Sequence, residues 1–217
     1  VRTALYAYLF AKKQGGDFLL RIEDTDQNRF VPGAEQYIID ALNWCGIAVD
    51  EGVSVGGPHA PYRQSERKEI YREYALQLIL SGNAYYAFDT AESLEQHRKI
   101  ADEKKETFSY GSATRLNLNN SLALGPDKTQ QLLESGAPYV IRLKVLPDET
   151  ITFTDLIRGE VSFDSNLVDD KVLLKSDGMP TYHLAHIVDD YLMQITHAIR
   201  GEEWLPSAPA HILIYRY

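Results

Sequence analysis

Arg21-Ile-Glu-Asp-Thr-Asp26 places three carboxylates and a guanidinium directly after the apolar run Phe18-Leu-Leu20. In an open α/β sheet, ligands bind at the carboxyl ends of strands. Glu23 and Asp26 could hold a cationic group such as a substrate ammonium there, since a carboxylate supplies the negative charge it needs. The plainer alternative is an ion pair between Arg21 and Glu23, which fall on one face of a strand. Arg200-Gly-Glu-Glu-Trp204 repeats the arrangement after a second short apolar run. Arg200 offers a planar fork for a carboxylate or phosphate, Gly201 lets the backbone approach a ligand, and Trp204 offers a face for a stacked base. Its plainer alternative is a capped helix start with an acidic first turn.

His183, His186 and Asp190 stand at i, i+3 and i+7 and share one helical face. Histidines one turn apart can ligate zinc, but the Glu of a His-Glu-x-x-His protease is missing, so no metal is expected. His197, on the next strand, adds little. Arg142 and Lys144 alternate on one strand near Tyr139 and suit contact with a nucleic-acid backbone. Arg98, Lys99, Lys104 and Lys105, mixed with Glu95, Asp102, Glu103 and Glu106, read instead as a solvated helix face. A Gly-x-x-x-x-Gly-Lys-Ser/Thr loop is absent, which excludes that kind of nucleotide site.

The elements that carry these residues follow from periodicity and punctuation. Helices are expected from Val1 to Lys13, closed by Gly15-Gly16, from Pro32 to Gly46, and up to Gly82 with Tyr71, Tyr74, Ala75 and Leu78 at helical spacing. Asp17–Ile22 and Tyr85–Phe88 read as strands, and Asp89–Glu106 as a charged helix. A polar stretch over 107–126 and a short helix over 127–134 precede strands at Tyr139–Val145, Glu149–Phe153 and Glu160–Phe163. The α/β style then resumes with Val172–Leu174, a Ser176-Asp-Gly178 turn, a helix from Pro180 to Met193, a strand from Ile195 to Ile199 and a helix after Pro206. An α/β domain interrupted by an insertion fits this order, with divisions at 1–84, 85–170 and 171–217.

The 217 residues, 44% hydrophobic and 24% charged, suit a folded globular chain. A net charge of −9 excludes a domain basic all over, though a local basic track can still meet phosphate. One cysteine, Cys45, excludes an internal disulfide and a Cys-rich zinc site, and is expected in the core. With no apolar stretch of membrane-spanning length and no leader, the expected location is cytoplasmic.

Taken together, the segments resemble the catalytic half of bacterial glutamyl-tRNA synthetases. The resemblance rests on Leu20–Asp26, Val31–Glu35, Gly56-Gly-Pro-His59, Pro61–Arg67, Val140–Lys144, Leu173–Gly178, Pro180–Ala185, Val188-Asp-Asp190 and Ile199–Trp204, in order along essentially the whole chain. It implies a Rossmann-type class I synthetase catalytic domain interrupted by an α+β connective insertion that binds the tRNA acceptor stem. It also implies two steps: ATP and L-glutamate give glutamyl-adenylate, then the glutamyl group passes to tRNA. Mg2+ accompanies ATP, no protein-bound zinc and no protein nucleophile are expected, and the enzyme acts as a monomer. Position by position, Glu23 would hold the ammonium and Arg200 the side-chain carboxylate, with Tyr182 and His186 lining the amino-acid pocket. Glu203 and Trp204 would contact the adenosine of ATP, Asp26 and Arg29 the incoming tRNA end, and Arg142 and Lys144 the tRNA backbone.

The resemblance also implies a His-Ile-Gly-His-like signature just before Val1 and a Lys-Met-Ser-Lys-Ser-like loop beyond Tyr217. Neither lies within the 217 residues, so a fragment that does not make adenylate efficiently alone is expected. His186 stands where relatives often carry Asn. The competing readings are a shortened paralogue that charges a modified tRNA base, a non-catalytic tRNA or partner-binding module, and a metal hydrolase on His183, His186 and Asp190. Glutaminyl enzymes, which read Asp-Asp-Thr-Asn at the Glu23 motif, fit less well.

Overall fold

The computed structural model describes residues 1–26 and 31–217. They divide into two compact units, residues 1–70 with 188–205, and residues 71–187 with 206–217. No helix among the described residues is long and apolar enough to cross a membrane.

In the first unit, helix α1 (Arg2–Gln14) stops because Gly15 adopts a left-handed φ of 70°, letting the Gly16 amide reach back to Ala11 O at 2.8 Å. Ala4, Ala7, Tyr8 and Ala11 turn toward Phe18, Leu42 and Ile47, the buried centre of this unit. The chain returns as β1 (Leu19–Leu20), runs through α2 (Ala34–Trp44), and pairs β1 in parallel with β2 (Glu51–Gly52). Asp50 fixes the return by accepting from Phe18 N at 2.8 Å and Lys12 Nζ at 2.5 Å. A side chain at Gly52 would collide with the carbonyl of Leu20, so the close approach of the two strands requires glycine there. Beyond β1, Ile22 N donates to Tyr62 O at 2.9 Å and Gln64 N to Ile22 O at 3.0 Å. These bonds tie the Glu23 segment to the 3-10 turn Gln64–Arg67.

Two expectations in this unit are corrected. Cys45 is exposed. Helix α2 ends at Trp44, so Cys45 is its cap and Leu42 and Ile47 fill the core on either side. Ile195–Ile199 is not a strand; none of the described strands pairs with it, and an apolar run becomes a strand only when its backbone finds a partner. His197 therefore lies on an irregular segment, its ring 4.7 Å from that of Phe10.

The second unit is built on a three-stranded antiparallel sheet, β3 (Ala84–Ala87), β4 (Val140–Leu143) and β7 (Val172–Leu174), in the order β3-β4-β7. Helix α3 (Lys68–Leu80) enters this unit at Tyr71 and buries Tyr71, Ala75 and Leu78, spaced for one face. Thr90 caps α4 (Ala91–Glu103) by accepting from Ser93 N. The polar 107–126 stretch has an inside: Asn120, fully buried, donates to Arg115 O and caps α5 (Ser121–Leu124) through Leu122 N and Ala123 N. After α6 (Pro126–Glu134), strands β5 (Thr150–Asp155) and β6 (Gly159–Asp164) form a hairpin with Phe153 and Phe163 stacked. The last helices are α7 (Tyr182–Leu192) and α8 (Ala208–Arg216).

Asp170 is the polar centre of this unit. Fully buried, it accepts from Tyr85 Oη at 2.6 Å, Arg115 Nη1 at 2.9 Å and Val145 N at 2.9 Å. Burial pushes its carboxyl above the ordinary range, although all three donors favour the charged form. Asp170→Ala, which strands the buried Arg115 charge, should lower unfolding free energy by about 3–5 kcal/mol, and Tyr85→Phe by about 1–2 kcal/mol. Urea denaturation of the two variants measures both losses.

Candidate functional site

The acidic motif after β1 is held from several sides. Asp24 accepts from Ser65 N at 2.9 Å and Ser65 Oγ at 2.5 Å, which anchors the segment at its centre. Glu23 and Asp26 are exposed, while Thr25 between them is buried. Arg21 Nη2 donates to Glu23 Oε1 at 3.0 Å, the ion pair that alternate spacing suggests. The same guanidinium turns inward: Nη1 donates to Asp190 Oδ1 at 2.9 Å, and Nε lies 3.5 Å from Asp189 Oδ2. Burial opposes the Arg21 charge, yet Asp190, Glu23 and Asp189 together hold its pKa above the ordinary guanidinium value. Asp189, fully buried, also accepts from Arg67 Nε at 2.8 Å and Gln64 Nε2 at 3.0 Å. Arg67 in turn donates to the carbonyls of His59 and Pro61.

Beside this set, Glu51 receives Tyr62 Oη at 2.6 Å and His59 Nδ1 at 2.7 Å. Against the upward push of burial, these bonds draw the Glu51 carboxyl below its usual range. Arg200 and Trp204, at the 3-10 turn Glu202–Ser207, stand together, with the guanidinium carbon 5.4 Å from the indole ring centre. A side chain at Gly201 would meet only the movable end of the Glu203 side chain, so the turn itself does not demand glycine there.

In the second unit, Tyr182 and His186 sit one turn apart on α7, His186 buried and Tyr182 half-buried. Tyr182 Oη meets Ser207 Oγ at 2.5 Å. His183 Nδ1 lies 3.1 Å from His211 Nε2, and the His186 ring centre is 5.2 Å from that of His211. One nitrogen of the His183–His211 contact must be unprotonated to accept. Burial, helped by Lys171, pushes His183 down to about 4, so it is neutral near pH 7.

The structure thus joins Glu23 to Arg21, Arg200 to Trp204, and Tyr182 and His186 to His211. Asp190, on the face of His183 and His186, is bound to Arg21, and no group of three potential metal ligands gathers among the described residues. Arg142 donates to Asp170 O at 2.9 Å and stacks 3.9 Å from the Tyr110 ring centre, while Lys144 is half-buried just past β4. Arg29 lies outside the described residues. Spacing left Gln64, Arg67 and Asp189 without a role, although Gln64-Ser-Glu-Arg67 and Val188-Asp-Asp190 stand out as motifs. Their partners are 122 and 125 residues away, beyond the reach of local pattern.

The chain matches known proteins along its whole length. The family described as tRNA synthetases class I (E and Q), catalytic domain, matches residues 1–217. A glutamate–tRNA ligase of Cytophaga hutchinsonii is 65% identical over the whole chain, and one of Christiangramia forsetii is 63% identical. The chain spans 42% and 43% of the length of these two relatives. A crystal structure of a glutamate tRNA ligase from Elizabethkingia meningosepticum, in complex with its amino acid, is 54% identical. It superposes with a TM-score of 0.97 over 99% of this chain and 43% of that one. The chain therefore belongs to the class I tRNA synthetases (E and Q) and falls within their catalytic domain.

Proposed function

We propose that this chain is the catalytic-domain portion of an enzyme that ligates L-glutamate to tRNA using ATP. The observation that carries the reading is identity of 57–65% along its full length to proteins named glutamate–tRNA ligase. A glutamate carboxylate oxygen attacks the α-phosphorus of ATP and pyrophosphate leaves. A ribose hydroxyl of the tRNA terminal adenosine then attacks the activated carbonyl carbon, and AMP leaves. Mg2+ accompanies ATP and offsets charge on its phosphates. No protein nucleophile is required, so the protein contributes positioning and charge stabilisation.

In this reading Glu23 holds the substrate ammonium and Arg200 its side-chain carboxylate, while Tyr182 and His186 line the amino-acid pocket. Glu203 and Trp204 contact the adenosine. Asp26 and Arg29 meet the tRNA end, and Lys144, with Arg142, lies toward its backbone. The enzyme works as a monomer in the cytoplasm, and no zinc takes part. An Arg200 pairing with a carboxylate favours glutamate over glutamine, because the amide leaves the guanidinium charge unmatched.

ATP–pyrophosphate exchange by the full-length protein that carries this chain tests the reading. Exchange should depend on glutamate, with glutamine and aspartate inactive, and exchange with glutamine alone would overturn it. Arg200→Met should lower kcat/KM for glutamate on the order of 100-fold. A non-hydrolysable glutamyl-adenylate analogue at 100 times its Kd should stabilise the protein by about 2.7 kcal/mol in a thermal melt, with no shift from the aspartyl analogue.

The histidine pair gives a separate prediction. His183 is neutral in the fold down to about pH 4 but protonates near 6.5 once unfolded. Between these values the unfolded state binds the extra proton, so stability falls as pH drops, by up to about 1 kcal/mol per pH unit. The loss is absent above pH 6.5. Denaturation midpoints between pH 5 and 7 should show this slope in the wild type and not in His183→Gln.

A further inference from the structure

We infer that Arg21 is a positioning residue for Glu23, held in place by Asp189 and Asp190 of α7. The inference rests on Glu23 being the carboxylate that receives the substrate ammonium. Glu23 itself sits on an irregular segment with 42% of its side chain exposed, and left alone it would sample several rotamers. An exposed ion pair is ordinarily too weak to hold such a side chain, because both partners lose freedom. Here one partner is already fixed. The Arg21 side chain is only 9% exposed, its Nη1 is bound to Asp190 Oδ1, and its Nε faces Asp189 Oδ2. Asp189 is itself immobilised by Arg67 and Gln64. Nη2 is thus presented at a set point, and it takes Glu23 Oε1 at 3.0 Å.

The consequence is chemical as well as geometric. With Oε1 bound to Arg21, Glu23 Oε2 accepts no hydrogen bond among the described residues, and it is the oxygen turned over to an incoming ammonium. The guanidinium fork is essential, because Nη1 and Nη2 bind two different carboxylates, Asp190 and Glu23, while Nε lies 3.5 Å from a third, Asp189. A lysine keeps the charge but has a single nitrogen. Arg21→Lys should therefore leave charge in place while releasing Glu23, and the loss should fall on binding of the ammonium rather than on the chemical step.

The test measures pyrophosphate exchange by the full-length protein for wild type, Glu23→Gln, Arg21→Lys, Asp190→Asn and the Glu23→Gln/Arg21→Lys double variant. Glu23→Gln should raise the glutamate KM on the order of 100-fold and Arg21→Lys about tenfold, with kcat within about twofold for Arg21→Lys. Asp190→Asn should move the glutamate KM in the same direction, and it carries the comparison if Arg21→Lys does not fold. The double variant should be no worse than Glu23→Gln alone, because the effect of Arg21 runs through Glu23. Inhibition by glutarate, which lacks the ammonium, should be equal in wild type and Arg21→Lys, whereas a general loss of structure would weaken it. A wild-type glutamate KM in both Arg21→Lys and Asp190→Asn, or multiplying losses in the double variant, overturns the positioning role. A wild-type glutamate KM in Glu23→Gln instead overturns the ammonium reading itself.

Discussion

Burying Asp189 constrains everything around it in the first unit. A fully buried carboxylate without partners is prohibitively unfavourable, so its oxygens must be met by donors that are themselves buried. The donors, Arg67 and Gln64, come from the turn that follows β2, and the Arg21 charge, from the end of β1, lies 3.5 Å away. Removing one donor would leave a buried charge unmatched, which is far more destabilising than the modest net value of the intact pair. The same requirement gives direction. A helix, a strand end and a turn from distant parts of the chain are brought into one register, and the edge of that register is where Glu23 meets solvent.

Local chemistry was legible where it is governed by local physics. Gly15 ends α1 because only glycine tolerates its backbone, and Thr90 starts α4 because its hydroxyl meets an unpaired amide. The apolar faces of α3 and of the β5–β6 hairpin follow from their periods. What spacing missed depends on partners far along the chain. Ile195–Ile199 has the composition of a strand and lacks a paired neighbour among the described residues. Cys45 has the character of a core residue, but the helix ends one residue before it. Asp190 shares a helical face with His183 and His186, yet its partner is a guanidinium 169 residues away. Of the candidate site, residue types and motif order were readable; the Arg21 bridge to α7 was not, because no period in a sequence encodes a pairing of that separation.

Helix α7 passes through both units and meets two opposite electrostatic problems with two solutions. Its Asp189 and Asp190 are each bound to a guanidinium, Asp189 to that of Arg67 and Asp190 to that of Arg21. Its His183 gives up its charge instead, since burial and the neighbouring Lys171 both disfavour a proton, and His211 offers a hydrogen bond that an unprotonated ring can make. The choice follows from the groups available. A carboxylate can be met by the several donors of one arginine, whereas the neighbouring His211 carries no fixed negative charge to offset a buried imidazolium. A neutral ring can accept or donate by choosing its tautomer, which is what the contact between His183 and His211 requires.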